Sequence, residues 1–367
     1  MKITAVEAIP YRIPYVRPFG FASGEVRVAD NVLVRIVTDE GTVGHAEAVA
    51  RPYTYGESQV SIVAAARDWF GPALMGADPF ARERIQAVLG RTAGNHTVRG
   101  AIDVALWDIL GRALGQPCHA LLGGYTTSMR VAHMVGFGTP ESAVEEALAV
   151  RHRHGVTAFK VKVGRSPWRV DVDTCRALRA ALGPDADLYL DANRGWTAEE
   201  AVAAVTAMAD LGLTLVEEPC PADGVLARRW VVEQLSLPVV GDESCTRPGE
   251  VARQLLDRSC TAVSIKVART GFTESLRILG LCEGLGAAVV MGNQVDGMLG
   301  TLASVTFGAA FRSTSARPGE LSNFVAMADD LLTEPLEISD GLLKVRERPG
   351  LGADIDDDKL DHYRIDR

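Results

Sequence analysis

From Arg130 to Met291 the chain repeats one pattern: a short, almost wholly apolar run followed by a longer alanine-rich stretch with helical spacing. The runs are Val131–Val135, Ala158–Val163, Asp187–Leu190, Leu213–Val216, Pro238–Val240, Ala262–Ile265 and Ala287–Met291. A strand apolar on both sides is buried on both faces, and strand–helix alternation builds a parallel sheet covered by helices. So many units in one block predict a closed barrel of TIM type, with an eighth run near Arg312–Ala316. The preceding residues have a different texture. Val32–Val37 and Val43–Glu47 flank turn residues like a hairpin, and Ser58–Phe70, Ala81–Leu89 and Val98–Ala113 have helical spacing. From Gly319 the repeat stops, and Leu336–Ile338 and Leu342–Val345 flank Ser339-Asp340-Gly341 like a second hairpin, expected to return to the first unit. The expected division is an α+β unit at 1–125, an α/β barrel at 126–318 and a returning segment at 319–367.

Composition narrows the partners. At net charge −9 the chain has no basic field to condense on nucleic acid or an anionic membrane surface. No stretch approaches the 18 or so apolar residues that span a bilayer, and Glu7, Pro10, Arg12 and Pro14 interrupt any signal-peptide core. The six cysteines are scattered without a Cys-x-x-Cys pair and read as reduced thiols of a cytoplasmic protein.

The chemistry lies where the strands stop. The second run carries Lys160 and Lys162, the third ends in Asp191-Ala192-Asn193, the fourth in Glu217-Glu218-Pro219, the fifth in Gly241-Asp242-Glu243-Ser244 and the sixth in Lys266. In a parallel barrel these ends share one rim. Asp191, Glu217 and Asp242 would repel one another without a cation, and hard oxygen donors with no His or Cys beside them select Mg²⁺ or Mn²⁺. Lysines near such an ion and near each other are expected to have lowered pKa values and to exchange protons. This set suits removal or delivery of a proton at the carbon next to a carboxylate. Glu218 and Glu243 are alternative ligands, since strand-end register is uncertain by a residue or two. Gly136-Phe137-Gly138 reads as a β→α turn because Glu141 replaces the third glycine of a dinucleotide fingerprint. His152 and His154 read as a solvated helix end, and His133 as either core or substrate pocket.

Phe159-Lys160-Val161-Lys162-Val163-Gly164, Asp191-Ala192-Asn193, Glu217-Glu218-Pro219, Asp242-Glu243-Ser244 and Ser264-Ile265-Lys266, in this order, resemble the enolase superfamily and within it the muconate lactonizing subgroup. The resemblance covers almost the whole chain and implies a (β/α)7β-like barrel capped by an α+β domain built from both chain ends. It implies Asp191, Glu217 and Asp242 as metal ligands, Lys162 and Lys266 as the acid/base pair, and Lys160 as an auxiliary cation beside the substrate carboxylate. Two capping loops would set specificity, here Phe19–Ser23 and Tyr53–Gly56, with Phe19, Tyr53 and Tyr55 as substrate contacts. Met291-Gly292-Asn293-Gln294-Val295-Asp296-Gly297 and Glu320-Leu321-Ser322-Asn323-Phe324 resemble the muconate enzymes in particular, which adds Asn193, Asn293, Gln294, Asp296 and Glu320 to the expected pocket. Asp296 stands where the better-known branch has Glu, and Ser322-Asn323 where it has Phe-Gly. The implied activity is cycloisomerisation of cis,cis-muconate, a small dicarboxylate, by a homo-oligomer, commonly an octamer in relatives. Racemisation or epimerisation of an N-acyl amino acid, dipeptide or proline derivative, acid dehydration, and a catalytically silent scaffold are the rival readings.

Overall fold

The structure, a computed structural model, describes residues 1–21 and 24–366, and for residues 17–21 and 24–25 the backbone only. Three antiparallel strands open the chain: β1 (Ile3–Phe21), β2 (Gly24–Thr38) and β3 (Val43–Val49). Helix α1 (His96–Leu114) lies across β3, and its approach is close: a Cβ on Gly44 would stand 2.1 Å from the carbonyl oxygen of Ala105. Nothing larger than hydrogen fits there.

The barrel follows the expected runs: β4 (Ser128–Val135), α2 (Pro140–His154), β5 (Ala158–Lys162), α3 (Arg169–Leu182), β6 (Asp187–Asp191), α4 (Ala198–Ala207), β7 (Leu213–Glu217), α5 (Val225–Gln234), β8 (Val239–Gly241), α6 (Pro248–Leu256), β9 (Ala262–Ile265), α7 (Val267–Leu285), β10 (Ala288–Met291) and α8 (Met298–Ala310). Strands β4 to β10 pair in parallel in chain order. The eighth strand is not at Arg312–Ala316, where Arg312–Ser315 forms a helical turn; it is β11 (Gly319–Glu320), which pairs with β4 and neighbours β10. Two residues are too few to show a period.

The second hairpin, β12 (Ile338–Ser339) and β13 (Leu342–Lys344), turns through Asp340 and Gly341, both at positive φ, as tight hairpin turns require. It adds to the barrel, pairing β13 with β4, rather than to the first unit. The chain around it does return: Met327 bridges Tyr15, Arg364 bridges Tyr11 and Pro117 bridges Gly350. All six cysteines are free and buried, and no helix among the described residues is long and apolar enough to cross a membrane.

The two units meet along α1 and α7. Asp103 of α1 accepts the backbone N–H groups of Phe272 and Thr273, both at 2.8 Å, and the Thr273 hydroxyl at 2.6 Å. Just before them Gly271 breaks α7 at φ 59°, so Asp103 caps the helix where it restarts.

His45 on β3 gives a pH test of this packing. Burial, then Arg35 and Arg112, pushes its imidazole down to about 4, so the folded protein holds it neutral while an unfolded chain takes up a proton near its ordinary value of about 6.5. Stability from this group is complete above pH 6.5 and drains away as pH falls toward 4. Asp103 and Asp296, pushed up by burial to about 6 and about 7, work in the opposite sense. The comparison is therefore with His45→Gln: wild type should lose stability relative to the variant between pH 7 and 5 in urea unfolding, and parallel pH profiles would refute the assignment.

Candidate active site

A ring of inward side chains, Ala132, Ala158, Tyr189, Leu215, Val240, Ala262 and Val290, plugs the barrel. Side chains on a strand alternate, so the next inward positions toward the carboxyl ends are two residues on: Met134, Lys160, Asp191, Glu217 and Asp242, with Lys162, Asn193 and Lys266 beyond. Register makes the layer continuous, since Lys162 pairs with Asp191 and Asp191 with Glu217.

Lys160, 1% exposed, joins three carboxylates. Its Nζ lies 2.8 Å from Asp191 Oδ2, 3.1 Å from Glu217 Oε2 and 2.8 Å from Glu320 Oε2. Lys162 Nζ donates to Asp191 Oδ2 and Asn193 Oδ1, both at 2.6 Å. Across the barrel, Lys266 Nζ donates to Asp242 Oδ2 at 2.6 Å, and Arg269 donates to Asp242 Oδ1 at 2.7 Å. Tyr55 reaches down from the first unit: its hydroxyl accepts from Arg269 at 2.7 Å and lies 3.4 Å from Lys266 Nζ. Asn193 donates to Glu243 Oε1 at 2.8 Å.

The electrostatics follow these contacts. Burial pushes the Asp191 carboxyl up, but Lys160 and Lys162 outweigh it and hold the group below its ordinary range; Lys266 and Arg269 do the same for Asp242. Glu217 is raised well above its ordinary value by burial and by the neighbouring Asp191 and Asp242, against the pull of Lys160. Burial likewise lifts Glu243, with Asp242 and Glu218 adding to it, to about 7. Burial works to lower Lys160 and Lys266, yet both are raised, because their nearest charges are carboxylates rather than one another.

Asp191, Glu217 and Asp242 sit on neighbouring strand ends as expected, but among the described residues no three His, Cys, Asp or Glu side chains meet closely enough to hold a metal ion. The ammonium and guanidinium groups draw the Asp191 and Asp242 oxygens toward themselves. The residues nevertheless fit a hard divalent cation. All are oxygen donors, and Glu217 Oε1 is buried without a hydrogen-bond partner.

The cavity over this layer is lined by Lys160, Lys162, Asn193, Lys266, Asn293, Gln294 and Glu320, with Tyr55, Arg51 and Thr54 from the first unit. Three expected contacts fall elsewhere. Tyr53 is 85% exposed on the opposite side of its turn from Tyr55. His133 points outward, its ring nitrogens on Ser322 Oγ at 2.9 Å and Glu146 Oε1 at 3.0 Å, so it belongs to the barrel wall. Asp296 is buried behind the cavity, receiving the Gln294 N–H and the Ser304 hydroxyl. Phe19 lies outside the residues whose side chains are described. Arg51 and Arg269 were not expected. Arg269 could have been found one helical turn after Lys266, and Arg51 beside the loop that holds Tyr55.

A family model described as the mandelate racemase / muconate lactonizing enzyme N-terminal domain matches residues 4–123, and one described as enolase C-terminal domain-like matches residues 142–359. The structure superposes on a muconate lactonizing enzyme from Mycobacterium smegmatis complexed with muconolactone with a TM-score of 0.99, 54% identity and all of both chains covered. A dipeptide epimerase from Enterococcus faecalis, complexed with Mg and L-Leu-L-Tyr, gives 0.91 at 28% identity over 96% of this chain and 99% of that one. An L-Ala-D/L-Glu epimerase of Clostridium acetobutylicum is 30% identical over 93% of this chain and 96% of its own.

Proposed function

Because the chain belongs to the enolase superfamily, in its muconate lactonizing subgroup, and is an isomerase of that group, we propose that it is a divalent-metal-dependent cycloisomerase converting cis,cis-muconate to muconolactone. The observation that carries the reading is the charge of the cavity wall. Arg51, Lys160, Lys162 and Lys266 line it beside Asp242, Glu243 and Glu320, four cations against three acids; at the eighth strand Glu320 is closed by Lys160 and the residue two further on is Ser322, bonded to His133. A dianion is matched by the excess of cations on such a wall; the ammonium of a free dipeptide finds no acid-x-acid pair at the eighth strand. The whole-chain likeness to an enzyme holding muconolactone supports the same substrate.

Asp191, Glu217 and Asp242 would hold Mg²⁺ or Mn²⁺, which supplies positive charge where the reacting carboxylate becomes electron-rich. Arg51 and Lys162 orient the dianion. One carboxylate oxygen adds to the conjugated double bond, the electron pair moves to the carbon beside the other carboxylate, and a lysine ammonium protonates that carbon. The neutral amine then recovers a proton from water, and the partner lysine acts as a fixed charge. The six buried thiols suit a reducing, cytoplasmic setting.

Loss of muconate ultraviolet absorbance with enzyme and Mn²⁺ tests this reading. A second reading, epimerisation of an N-acylated amino acid, is favoured by the placement of Lys162 on β5 and Lys266 just after β9, on opposite sides of the barrel. Deuterium exchange at such an α-carbon, with muconate unchanged, would select it. Asp191→Asn should weaken Mn²⁺ binding by about ten-fold or more, since even partners of metal ligands contribute that much; equal affinity in equilibrium dialysis would remove Asp191 from the ligand set.

A further inference from the structure

Glu218 is bonded to several segments of the rim, and no step above uses it. It is fully buried and sits at φ 39°, where a non-glycine residue is strained. Such strain persists only where the surroundings impose it. Its backbone N–H donates to Val240 O at 3.0 Å on β8, and its carbonyl accepts from Arg194 N at 2.8 Å in the loop after β6. Its Oε1 accepts the Asp242 N–H at 2.7 Å, the Ser244 N–H at 3.0 Å and the Ser244 hydroxyl at 2.6 Å. Oε2 faces the Arg228 guanidinium at 3.1 Å, and Arg228, itself fully buried, is anchored on the carbonyls of Ser259 and Cys220.

These contacts argue against Glu218 as a ligand: Oε1 is taken by three donors, and Oε2, which makes no hydrogen bond, is paired with the Arg228 cation. They also tie together the loops that follow Asp191 and Asp242, with Glu217 as the next residue in the chain. We propose that Glu218, held by Arg228, is a positioning residue that sets the backbone of Asp242 against Asp191 and Glu217 and thereby sets the affinity of this rim for a divalent cation. The inference rests on the reading of those three residues as metal ligands. Buried ion pairs are poor stabilisers against apolar replacements, so a purely structural Glu218–Arg228 pair would be replaceable without effect on the metal.

The test uses the full chain, with Mn²⁺ affinity from equilibrium dialysis and fold from urea unfolding in chelator. Glu218→Ala with Arg228→Met removes the acceptor without stranding a charge and should weaken Mn²⁺ binding about 10–100-fold, the usual cost of losing a partner behind the ligands. Glu218→Gln with Arg228→Met keeps a side-chain oxygen for the Asp242 N–H and should recover affinity to within a few-fold of wild type. Wild-type affinity in a folded Glu218→Ala/Arg228→Met variant, or no recovery with Gln, overturns the proposal. Should the Ala variant fail to fold, Ser244→Ala decides: weaker Mn²⁺ binding supports the proposal and unchanged binding ends it. Asp242→Asn distinguishes the two failures, because an undiminished affinity there removes the ligand reading itself.

Discussion

Lys266→Ala is expected to reduce turnover of cis,cis-muconate by about 10²–10⁴-fold, the range that a positioned proton donor contributes, and to leave the protein folded. Lys162→Ala is expected to behave alike. Removing one member of a buried ion pair usually destabilises strongly, because a charge is left without a partner. Here each carboxylate has a second cation: Asp242 keeps Arg269 at 2.7 Å, and Asp191 keeps Lys160 at 2.8 Å. Urea unfolding should therefore separate the two effects, with near-native stability beside lost turnover. Solvent deuterium in the product identifies the donor, since the variant lacking it forms no labelled lactone while the other retains slow labelling. A Lys266→Ala protein with wild-type turnover would sink the scheme of two lysines.

Lys160→Ala should do the reverse in stability. It strands Asp191, Glu217 and Glu320 together, and of these only Asp191 keeps another lysine within contact. By the cost of breaking a buried pair, unfolding in chelator should be easier by about 3–5 kcal/mol, and Mn²⁺ should restore part of the loss by neutralising the same oxygens. If Lys160→Ala is as stable as Lys162→Ala in chelator, the three contacts to Lys160 carry no weight.

Much of this site was legible before any coordinates, for a definite reason. A strand buried on both faces rarely carries charge except near its end, so Lys162, Asp191, Glu217 and Asp242 stand out against apolar runs, and parallel pairing brings them to one rim. What stayed hidden depends on relations between segments. His133 faces outward because it is in register with Phe159 rather than with Lys160, and register between strands leaves no trace in either strand alone. Tyr53 and Tyr55 are equivalent in composition; only the turn that carries them decides which one enters the cavity. The eighth strand lies at Gly319–Glu320 rather than Arg312–Ala316 because pairing with β4, not its own two residues, makes it a strand.

The cap that Asp103 places on the broken helix has a consequence for how such proteins diverge. Lys266 and Arg269 ride on the short turn before Gly271, and the stretch after it hangs from a helix encoded more than 150 residues earlier. A graft that exchanged the first unit for a relative's would also exchange the footing of the helix that follows Lys266. A transplanted first unit should preserve rate only when it brings an acid to the position of Asp103.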